Sequence, residues 1–496
     1  MFALYRYRSH RISAPTPWSI RQFRRALGIM IGIGLIGLLF VSLLLPVQAI
    51  EQTNTVYLPL IQRPKEPNAF GIETASLNRN WLRDRAESLG STWVRLNTVS
   101  WRDVQPDNAA TFNWDVESIQ TFESELQAAN QAGLTPMVIV DDYPDWATQR
   151  DGNAGRCSPI KPEHLSDFAA FAQQLALRYG QDVTYWEMGN EPDVDPDLAF
   201  FPDLFGCWGD IDDPYYGGEY YGEMLKVVTP AIKQVAPSAQ VMIGGLLLDS
   251  PDSNATNPGF GQPEKFLEGI LRSGADSSFD IVAFHGYPCY MGANIDADLN
   301  HPNWAAEGGV NIGKAQFLKN VLASYGVSKP LMLNEVSLLL CGENPTVSEA
   351  FLQTQASYVP RVLSRARSED VQAIVWYTLE GPGWRSGGLL AGNDSRPSFD
   401  AYQQFIKRIG ASGRPTRLPD SEYTPQVEAY RFATASGTVD VLWSNDDQTY
   451  PVDVFKEVFR GAETRDGEPK TVIGLDQPDT PRVLIEIGFE PVYILR

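Results

Sequence analysis

Two glutamates, Glu191 and Glu335, are the residues of this 496-residue chain best placed for acid–base chemistry. Each closes a run of apolar residues and directly follows an asparagine, in the segments GNEP and LNEV. Two carboxyl groups about 5–5.5 Å apart cleave a glycosidic bond with retention of configuration when one donates a proton and the other attacks. That chemistry requires environments that keep one carboxyl protonated and the other ionised. Only a fold that joins distant segments could pair these two glutamates.

Further polar and aromatic side chains stand at the ends of other apolar runs. They are Glu73, Arg95, Asn97, Asp141, Asp142, Asn190, His285, Tyr287 and Trp376. Each type also has an ordinary structural interpretation, because arginines form structural ion pairs, histidines and tryptophans belong to cores, and loop acids are commonly solvated. Pro192 follows Glu191 directly and is expected to hold the end of its strand extended. A functional interpretation therefore depends on a fold that gathers these ends.

The elements that would position these residues alternate along the chain from about residue 68. Short β-branched runs predict strands at 69–75, 91–97, 135–142, 183–190, 239–248, 280–288, 330–337 and 373–380. Amphipathic patterns between them predict helices, among them 115–133, 162–180, 220–237, 315–326 and 350–368, with a last helix over 398–410. Eight strands and about eight helices are the count of an α/β fold of the (β/α)8 TIM barrel type. A doubly wound sheet shares the alternation, but no glycine-rich nucleotide loop follows the first strand.

The pattern changes after residue 410, where helical periodicity stops. Short alternating strands separated by turn residues predict a small C-terminal all-β, sandwich-like domain over residues 420–496. The barrel is assigned to residues 68–410, and residues 50–67 are interpreted as a linker. The sequence therefore predicts a barrel followed by a β domain.

The first 49 residues have the features of a targeting segment. Six arginines precede the apolar run ALGIMIGIGLIGLLFVSLLLP, and VQA at 47–49 offers a small-residue cleavage site. The run is also long enough to span a bilayer with its basic side inside. The segment is either a cleaved signal peptide or a membrane anchor, which would be the only contact with the membrane. Both interpretations place the body of the protein outside the cytoplasm.

The charge balance argues against several classes of partner. The chain has 40 basic and 61 acidic residues, a formal net charge of −21, and no acid lies among the first 49 residues. Such a surface repels nucleic acid and anionic lipid and favours neutral partners. Acid-rich stretches such as DVDPDLAFFPD lack the ordered ligand spacing of a calcium site. Neither a metal nor an organic cofactor is predicted.

In a (β/α)8 barrel, functional residues collect at the C-terminal ends of the strands. Glu191 would end strand 4 and Glu335 strand 7, across the barrel mouth from one another. Together WEMGNEPD, LMLNEVS, FHGYP and a tryptophan ending strand 8 resemble clan A of the glycoside hydrolases, among which families 39, 5 and 79 are the most similar. The resemblance covers residues 68–410. It implies a retaining glycosidase on a (β/α)8 barrel, with the acid/base on strand 4 and the nucleophile on strand 7.

The resemblance implies a role for each matching residue. Glu191 would be the general acid/base and Glu335 the nucleophile. Asn190 would hydrogen-bond the sugar 2-hydroxyl, Tyr287 would donate to the Glu335 carboxylate, and Arg95 would favour the ionised form of that carboxylate. His285 would line the same subsite, and Trp376 would be an aromatic floor under the sugar. Apart from the resemblance, Asp141 and Asp142 are candidates for binding sugar hydroxyls, and solvated loop acids are the equal alternative.

Four cysteines form an even set without a C-x-x-C pair, which argues against a metal knuckle and suits two disulfides in an exported protein. The sequence alone allows three pairings, and four buried free thiols are the alternative. On the barrel map the cysteines fall in loops after strands 3, 4, 6 and 7. Pairing neighbouring loops predicts the disulfides Cys157–Cys207 and Cys289–Cys341, each beside one of the two glutamates.

Three functions fit the sequence. The leading hypothesis is an exported retaining glycosidase that acts on a neutral oligo- or polysaccharide. A transglycosylase would use the same residues but exclude water. A non-hydrolytic carbohydrate-binding or surface protein on a barrel scaffold would be expected to lack at least one of the two carboxylates, and both are present. The end of strand 3, VDDYPDWA, departs from the family 39 pattern in carrying two acids, so the sequence does not assign the sugar.

Overall fold

Eight short parallel strands form a closed barrel in the computed structural model, which describes residues 67–108, 110–150, 158–197, 206–252, 261–477 and 479–496. Each strand pairs with its neighbours in the sequence, and the last strand closes the ring against the first, with Ile72 opposite Trp376. This confirms the predicted TIM barrel, and each strand overlaps its predicted range. The strands are β1 (Phe70–Glu73), β2 (Trp93–Ser100), β3 (Thr135–Asp141), β4 (Tyr185–Met188), β5 (Gln240–Leu246), β6 (Ile281–Gly286), β7 (Leu331–Val336) and β8 (Ala373–Trp376).

The barrel strands are buried on both faces, as a parallel sheet wrapped by helices requires. Residues such as Val138 and Val140 face the helices and belong to the main hydrophobic core. The alternate residues point inwards and form an apolar layer that fills the barrel beneath its polar mouth. This layer contains Trp93, Met137, Met242, Ile281, Ala283, Met332, Ala373 and Val375.

Helices cover the outside of the barrel. Ser348 caps the longest of them by accepting a hydrogen bond from the Phe351 amide at 3.2 Å, and Gly90 ends the first in a left-handed conformation with φ of 81°. In chain order the helices are α1 (Asn80–Leu89), α2 (Trp101–Val104), α3 (Glu117–Gln131), α4 (Leu165–Tyr179), α5 (Gly218–Val235), α6 (Phe266–Arg272), α7 (Val310–Ser324), α8 (Glu349–Ser368) and α9 (Pro397–Ile409). Short 3-10 turns lie at Pro162–His164, Pro263–Lys265, Ala305–Glu307 and Trp384–Ser386.

Short strands follow the barrel, as the alternating pattern predicted. A two-stranded hairpin, β9 (Leu390–Ala391) and β10 (Asp394–Ser395), precedes α9. Beyond α9, one antiparallel sheet has the order β11-β12-β13-β17-β15 and a second pairs β14 with β16. An apolar cluster that includes Leu442 and Ile485 draws residues from both sheets. These strands are β11 (Thr416–Arg417), β12 (Val427–Thr434), β13 (Gly437–Ser444), β14 (Tyr450–Phe455), β15 (Gly461–Thr464), β16 (Arg482–Ile487) and β17 (Val492–Leu495).

The β domain packs on the barrel through aromatic rings and buried charges. Phe405 of α9 lies 5.9 Å from Phe432 of β12, measured between ring centroids. Arg365 of α8 donates to both carboxylate oxygens of Glu428 on β12, at 3.0 and 2.7 Å. The same guanidinium contacts Asp296 in the segment after β6 at 2.8 Å. The barrel helices and the β domain therefore share one core.

Irregular strand register marks the end of the barrel that carries the candidate residues. The pairing shifts between Leu96 and Val99 on β2, and between Phe284 and His285 on β6. Similar shifts occur in the later halves of β5 and β7. Such irregularities change the direction of side chains locally. They lie where the predicted site residues leave the strands.

The N-terminal predictions fall outside this description. The predicted leader, residues 1–49, and all but the last residue of the predicted linker, 50–67, are not among the described residues. Within the described part of the chain, no helix combines the length and the apolar character needed to cross a membrane.

Candidate active site

Glu191, His285 and Glu335 meet at the mouth of the barrel. One ligand atom from each side chain lies within 4.8 Å of the other two. His285 Nδ1 lies 2.7 Å from Glu191 Oε1 and 3.4 Å from Glu335 Oε2, so the imidazole bridges the two carboxyls. The fold thus brings together the two glutamates that the sequence singled out.

A sharp backbone turn places Glu191 at the barrel mouth. Strand β4 ends at Met188, and both Gly189 and Glu191 adopt left-handed conformations, with φ of 79° and 48°. The prediction that Pro192 keeps the strand end extended is therefore wrong at Glu191. Positive φ is uncommon for a side-chain-bearing residue, and such strain is typical of positions where a fold fixes a functional group. The Glu191 amide donates to the carbonyl of Gly245 on β5 at 3.1 Å, which anchors the turn.

Burial favours the protonated form of the Glu191 carboxyl. Glu191 is only 7% exposed, and this desolvation, reinforced by the charge of Asp249, raises its pKa to about 8. The cations Arg95 and Lys314 act in the opposite direction without cancelling the effect. The carboxyl therefore holds its proton at neutral pH, the state that a proton donor requires.

Glu335 lies in a different environment from Glu191. Its Oε2 accepts a hydrogen bond from the Tyr287 hydroxyl, and its Oε1 accepts one from Arg95 Nη1. Hydrogen bonds from a guanidinium to a carboxylate are among the strongest in proteins. The two glutamates are thus equally buried neighbours with different partners, since Glu335 is held by a guanidinium and a hydroxyl.

Arg95 organises the acids at the mouth. From β2, its guanidinium donates to Glu73 on β1 and to Asn190 Oδ1, each at 2.8 Å, in addition to Glu335. It also donates to both oxygens of Glu187 on β4, at 2.8 and 2.9 Å. Burial alone would lower the pKa of Arg95, but the surrounding acids hold that pKa well above its ordinary value. Arg95 is therefore a permanent cation at the centre of the site.

Glu187 is a candidate residue that the sequence analysis missed. It lies within β4 rather than at its end, is fully buried, and accepts hydrogen bonds from the Gly245 amide and Asn334 Nδ2 at 2.8 Å each. Burial disfavours its charge, but the Arg95 guanidinium holds the pKa of Glu187 below its usual value. The available signal was a lone acid inside an apolar strand, four residues before Glu191.

Burial also shifts the pKa values of other acids near the mouth towards or above neutrality. Burial raises the pKa of Glu73 to about 8 and that of Asp141 to about 7. Burial also raises the pKa of Asp193 to about 7, although this carboxyl accepts hydrogen bonds from the Leu247 and Leu248 amides at 2.8 Å each. Protonation keeps the negative charge of this region low.

His285 is a neutral group between the two glutamates. It is fully buried, and this desolvation lowers its pKa to about 4, although the charge of Glu335 opposes the shift. A Cβ atom at Gly245 would lie 2.1 Å from His285 Nε2, so only glycine allows β5 to pack against the imidazole. The carbonyl of His285 accepts from Lys314 Nζ of α7 at 2.9 Å. Packing and hydrogen bonding thus direct Nδ1 at the carboxyls.

Asp141 and Asn190 support the turn that carries Glu191. Asp141 Oδ2 accepts from the Asn190 amide at 3.1 Å, and its Oδ1 accepts from the Asp142 amide at 2.9 Å. Asp141 is only 7% exposed. Its position explains the shape of the β4 end, while the predicted contacts of Asp141 and Asn190 with sugar hydroxyls stay predictions.

Trp376 does not lie at the mouth, contrary to the prediction of an aromatic floor. Its indole is fully buried 6.1 Å from Tyr358 of α8 and donates to the Gly387 carbonyl at 2.9 Å. Successive strand residues point to opposite faces. Because Val375 faces the barrel interior, Trp376 faces the helices. The next residue, Tyr377, is the aromatic group that belongs to the mouth.

Three aromatic side chains gather on the Glu335 side of the mouth. Tyr377 lies 6.0 Å from Tyr287, measured between ring centroids, and meets it edge to face. Trp384, in the loop after β8, lies 5.6 Å from the same ring. Because Tyr287 hydrogen-bonds Glu335, these rings border that carboxylate.

One predicted disulfide lies entirely within the described part of the chain, and it is present. Cys289 and Cys341 are bonded, with Cα atoms 5.6 Å apart, and link the segments that follow β6 and β7. A backbone bridge between Cys289 and Leu339 joins the same segments. The other predicted pair, Cys157–Cys207, includes Cys157, which lies outside the described residues.

The three ligand atoms of Glu191, His285 and Glu335 have a spacing that a metal ion could use. Those atoms already have partners, because His285 Nδ1 hydrogen-bonds Glu191, and Glu335 accepts from cationic Arg95. A metal ion would have to break these contacts and lie beside a guanidinium. The donor set fits a pair of catalytic carboxyls better than a metal centre.

Comparison with known proteins relates the barrel to a family of enzymes. A family model described as Cellulase (glycosyl hydrolase family 5) matches residues 61–376, which are more than half of the chain and include all eight barrel strands. The coniferin beta-glucosidase of Pinus contorta is 26% identical over 118 residues, which are 24% of this chain. This match spans 22% of the length of that relative.

Solved structures share the fold over most of the chain. A family 39 glycoside hydrolase from the gut symbiont Bacteroides cellulosilyticus WH2 superposes with a TM-score of 0.64 at 17% identity, covering 87% of this chain and 81% of that one. A family 30 subfamily 8 xylanase from Clostridium acetobutylicum gives 0.55 at 12% identity, with coverages of 86% and 95%. The alpha-L-arabinofuranosidase of Thermotoga maritima gives 0.51 at 12%, with 87% and 96%. At these identities the likeness establishes the fold.

Proposed function

The chain belongs to the cellulase family, glycosyl hydrolase family 5, and we propose that it is an exported glycosidase that cleaves O-glycosidic bonds with retention of configuration. Glu191 is the proposed acid/base and Glu335 the proposed nucleophile. The observation that carries the proposal is their proximity, with carboxylate oxygens within 4.8 Å of one another. Retaining enzymes need about 5–5.5 Å between the two carboxyl groups, whereas inverting enzymes need about 6.5–9.5 Å to admit a water molecule.

In the first step the sugar is transferred to the enzyme. Glu335 attacks the anomeric carbon while the bond from that carbon to the leaving oxygen breaks, and Glu191 gives its proton to that oxygen. The raised pKa of Glu191 supplies the proton at neutral pH. Arg95 and Tyr287 hold Glu335 in place for the attack. The product is a covalent glycosyl ester of Glu335 and a free alcohol.

In the second step water displaces Glu335 from the anomeric carbon. Glu191, now ionised, takes a proton from a water molecule as its oxygen attacks the anomeric carbon, and the ester bond to Glu335 breaks. Glu191 is thereby protonated again and Glu335 becomes a carboxylate. His285 Nδ1, 2.7 Å from Glu191, keeps this carboxyl oriented through both steps.

The proposed substrate is a neutral oligo- or polysaccharide. The chain carries a net charge of −21, which disfavours an anionic substrate. Asn190, held through Oδ1 by Arg95, is positioned beside Glu191 to contact a sugar hydroxyl. The aromatic rings of Tyr287, Tyr377 and Trp384 offer faces for a sugar ring on the Glu335 side.

Export is proposed from two observations. Residues 1–49 have the basic start, apolar run and small-residue site of a targeting segment. The Cys289–Cys341 disulfide is the kind of bond that persists outside the cytoplasm. Catalysis is therefore assigned to the cell exterior or its surface.

The proposal is tested with a panel of aryl glycosides and neutral polysaccharides, using wild type and the variants Glu335→Ala and Glu191→Ala. Both variants should lose nearly all turnover of polysaccharide. With added azide, Glu335→Ala should yield a glycosyl azide of inverted configuration, because azide takes the place of the nucleophile. Glu191→Ala should yield an azide of retained configuration, because azide then attacks the glycosyl enzyme without needing a base.

The same assay separates the competing functions. Transfer of the sugar to another carbohydrate instead of to water would identify a transglycosylase that uses the same residues. Full turnover in Glu335→Ala would contradict the assignment of the nucleophile. Binding of polysaccharide by wild type without any cleavage would replace the enzyme proposal with a carbohydrate-binding protein.

A further inference from the structure

Trp384 is an exposed indole beside the proposed nucleophile. It is 49% exposed, and it is the only tryptophan in the described part of the chain with so open a side chain. Its ring lies 5.6 Å from that of Tyr287 at an angle of 82°, and Tyr287 donates to Glu335. Leaving a large apolar ring in water forgoes the stabilisation that its burial would give. A fold that does so at the mouth of its active site calls for an explanation.

The backbone next to Trp384 is strained. Arg385 and Ser386 both lie in the left-handed region, with φ of 46° and 62°. Neither residue is a glycine, so this conformation persists only where surrounding contacts enforce it. The turn Trp384–Ser386 is therefore held in shape rather than relaxed.

Buried side chains enforce this turn by binding its carbonyl groups. Arg396 Nη1 donates to the Ser386 carbonyl at 2.7 Å, and Gln355 Nε2 donates to the same oxygen at 3.1 Å. Arg396 and Gln355 are 6% and 0% exposed. Trp376, which the strand alternation turned away from the mouth, donates to the Gly387 carbonyl at 2.9 Å. Three buried donors thus fix the loop that presents Trp384.

The loop after β7 fixes the turn from the other side. The Leu340 amide donates to the Arg385 carbonyl at 2.8 Å, and Leu340 directly precedes Cys341 of the disulfide. The disulfide partner, Cys289, lies two residues after Tyr287. Trp384 and Tyr287 are therefore held on neighbouring loops that are joined covalently.

One face of the Trp384 ring is already covered. The Arg385 guanidinium carbon lies over the indole, 4.9 Å from its centroid. The ring meets that of Tyr287 at an angle of 82°. Because 49% of the side chain is nevertheless exposed, part of the indole surface remains for a ligand, and a flat aromatic surface is complementary to the C–H face of a pyranose ring.

From these contacts we propose that Trp384 binds the sugar unit that lies next to the reacting sugar on the glycone side of the scissile bond. This inference rests on the proposed function, because it takes Glu335 as the nucleophile that attacks the glycone sugar. Tyr287 reaches Glu335 with its hydroxyl, and Trp384 contacts the Tyr287 ring. We infer from this chain of contacts that the indole serves the sugar one unit away from the reacting carbon. The enzyme therefore prefers substrates with at least two glycone units.

The test compares two aryl glycosides that share one leaving group and carry one or two glycone units. Trp384→Ala should raise KM for the two-unit substrate on the order of 10-fold more than it raises KM for the one-unit substrate, which has no second sugar unit to contact the indole. Trp384→Phe, which keeps an aromatic face, should recover most of the loss. Phe455→Ala is the matched control, since Phe455 is 44% exposed with Arg482 at 3.9 Å from its ring on the β domain, and it should behave as wild type.

Equal losses of activity on both substrates would place Trp384 at the reacting sugar and overturn the inference. Unchanged kinetics on both substrates would also overturn it. If wild type hydrolyses no glycoside, the proposed function fails, and calorimetric titration with cellobiose, xylobiose and mannobiose decides the inference separately. Binding that is lost in Trp384→Ala but kept in Phe455→Ala would support it. Binding that survives Trp384→Ala, or no binding to wild type, would reject it.

Discussion

Arg95 and Glu187 form a two-point ion pair at the base of the barrel mouth, with Nε 2.8 Å from Oε2 and Nη2 2.9 Å from Oε1. Both residues are almost completely buried. The pair fixes the plane of the guanidinium, and Nη1 is thereby directed at Glu73 and Glu335. The position of the proposed nucleophile thus depends on a carboxylate from another strand.

Replacing Glu187 with glutamine should impair both catalysis and stability. The substitution keeps the shape but removes the charge that holds Arg95, which is then free to turn away from Glu335. A displacement of about 1 Å at a reacting group can cost 100-fold in rate, so we expect kcat to fall about 10–100-fold. Removing one partner of a buried ion pair should lower the free energy of unfolding by about 3 kcal/mol. Steady-state kinetics and denaturant titration measure the two effects.

Asp440→Asn is the matched control for the Glu187 variant. Asp440 is a buried carboxylate of the β domain that binds Arg431 at two points, both 2.7 Å long. Its replacement should cost similar stability and leave kcat unchanged. If Glu187→Gln also lost only stability, Glu187 would be a structural residue without a role in positioning Arg95.

The barrel was predictable because parallel strands that are buried on both faces appear in the sequence as apolar runs. In this chain, segments with helical periodicity separate these runs. The same logic found Glu191 and Glu335, since each stands with an asparagine at the end of such a run. It missed Glu187, because a rule that reads only strand ends overlooks an acid inside a strand. It also misplaced the aromatic group of β8 by one residue, at Trp376 instead of Tyr377, because a shift of one reverses the face of a strand side chain.

Contacts between the site residues and residues distant in the chain could not be predicted from the sequence. The raised pKa of Glu191 arises from burial together with Asp249, which lies 58 positions further along the chain. The loop that presents Trp384 is held by Gln355 and Arg396 from two different helical regions. No local pattern signals such contacts, since they exist only after the chain has folded.

The pH dependence of activity should have a basic limb set by Glu191. This group must be protonated to act as the acid, and burial raises its pKa to about 8. We therefore expect kcat/KM to fall as the pH rises through about 8, approaching a tenfold loss per pH unit. Asp249→Asn removes a negative charge that raises this pKa, so its basic limb should lie at lower pH than that of wild type. An identical limb in both proteins would mean that another group controls it.

Stability should decrease as the pH rises from 6.5 to 8.5. Five buried or partly buried carboxyls have pKa values raised by desolvation, to about 8 for Glu73 and Glu191 and to about 7 for Glu125, Asp141 and Asp193. In the unfolded chain the pKa of each carboxyl is about 4. Its contribution to the free energy of unfolding is therefore fully present below pH 4 and is lost as the pH rises through the pKa of the folded protein. His285 and His301, whose pKa values burial lowers to about 4, contribute stability above about 6.5 that is lost only on acidification.

The melting temperature across this range measures the effect, and Glu191→Gln provides the internal comparison. Glutamine does not titrate, so the variant should lose less stability between pH 6.5 and 8.5 than wild type does. Parallel curves for the two proteins would show that Glu191 titrates alike in the folded and unfolded states. Such a result would also remove the physical basis for the basic limb of the activity profile.

Replacing Arg365 with methionine should loosen the β domain from the barrel. Arg365 binds Glu428 on β12 and also Asp296 and Asp298 after β6, the last at 2.9 Å, and all four groups are buried. Without it, Arg361 alone faces three buried acids, so we expect the free energy of unfolding to fall by about 3–5 kcal/mol. Wild type should unfold in one calorimetric transition because barrel and β domain share a core, whereas the variant should melt at lower temperature with separated transitions.

Arg367→Met is the control for this variant, since Arg367 lies two residues further along α8 and donates to the Val371 carbonyl instead of to acids of the β domain. It should cost about 1 kcal/mol or less and keep a single transition. A double variant, Arg365→Met with Glu428→Gln, should recover part of the loss, because it removes one of the uncompensated charges. Equal destabilisation by Arg365→Met and Arg367→Met would mean that the buried ion cluster does not join the two parts of the molecule.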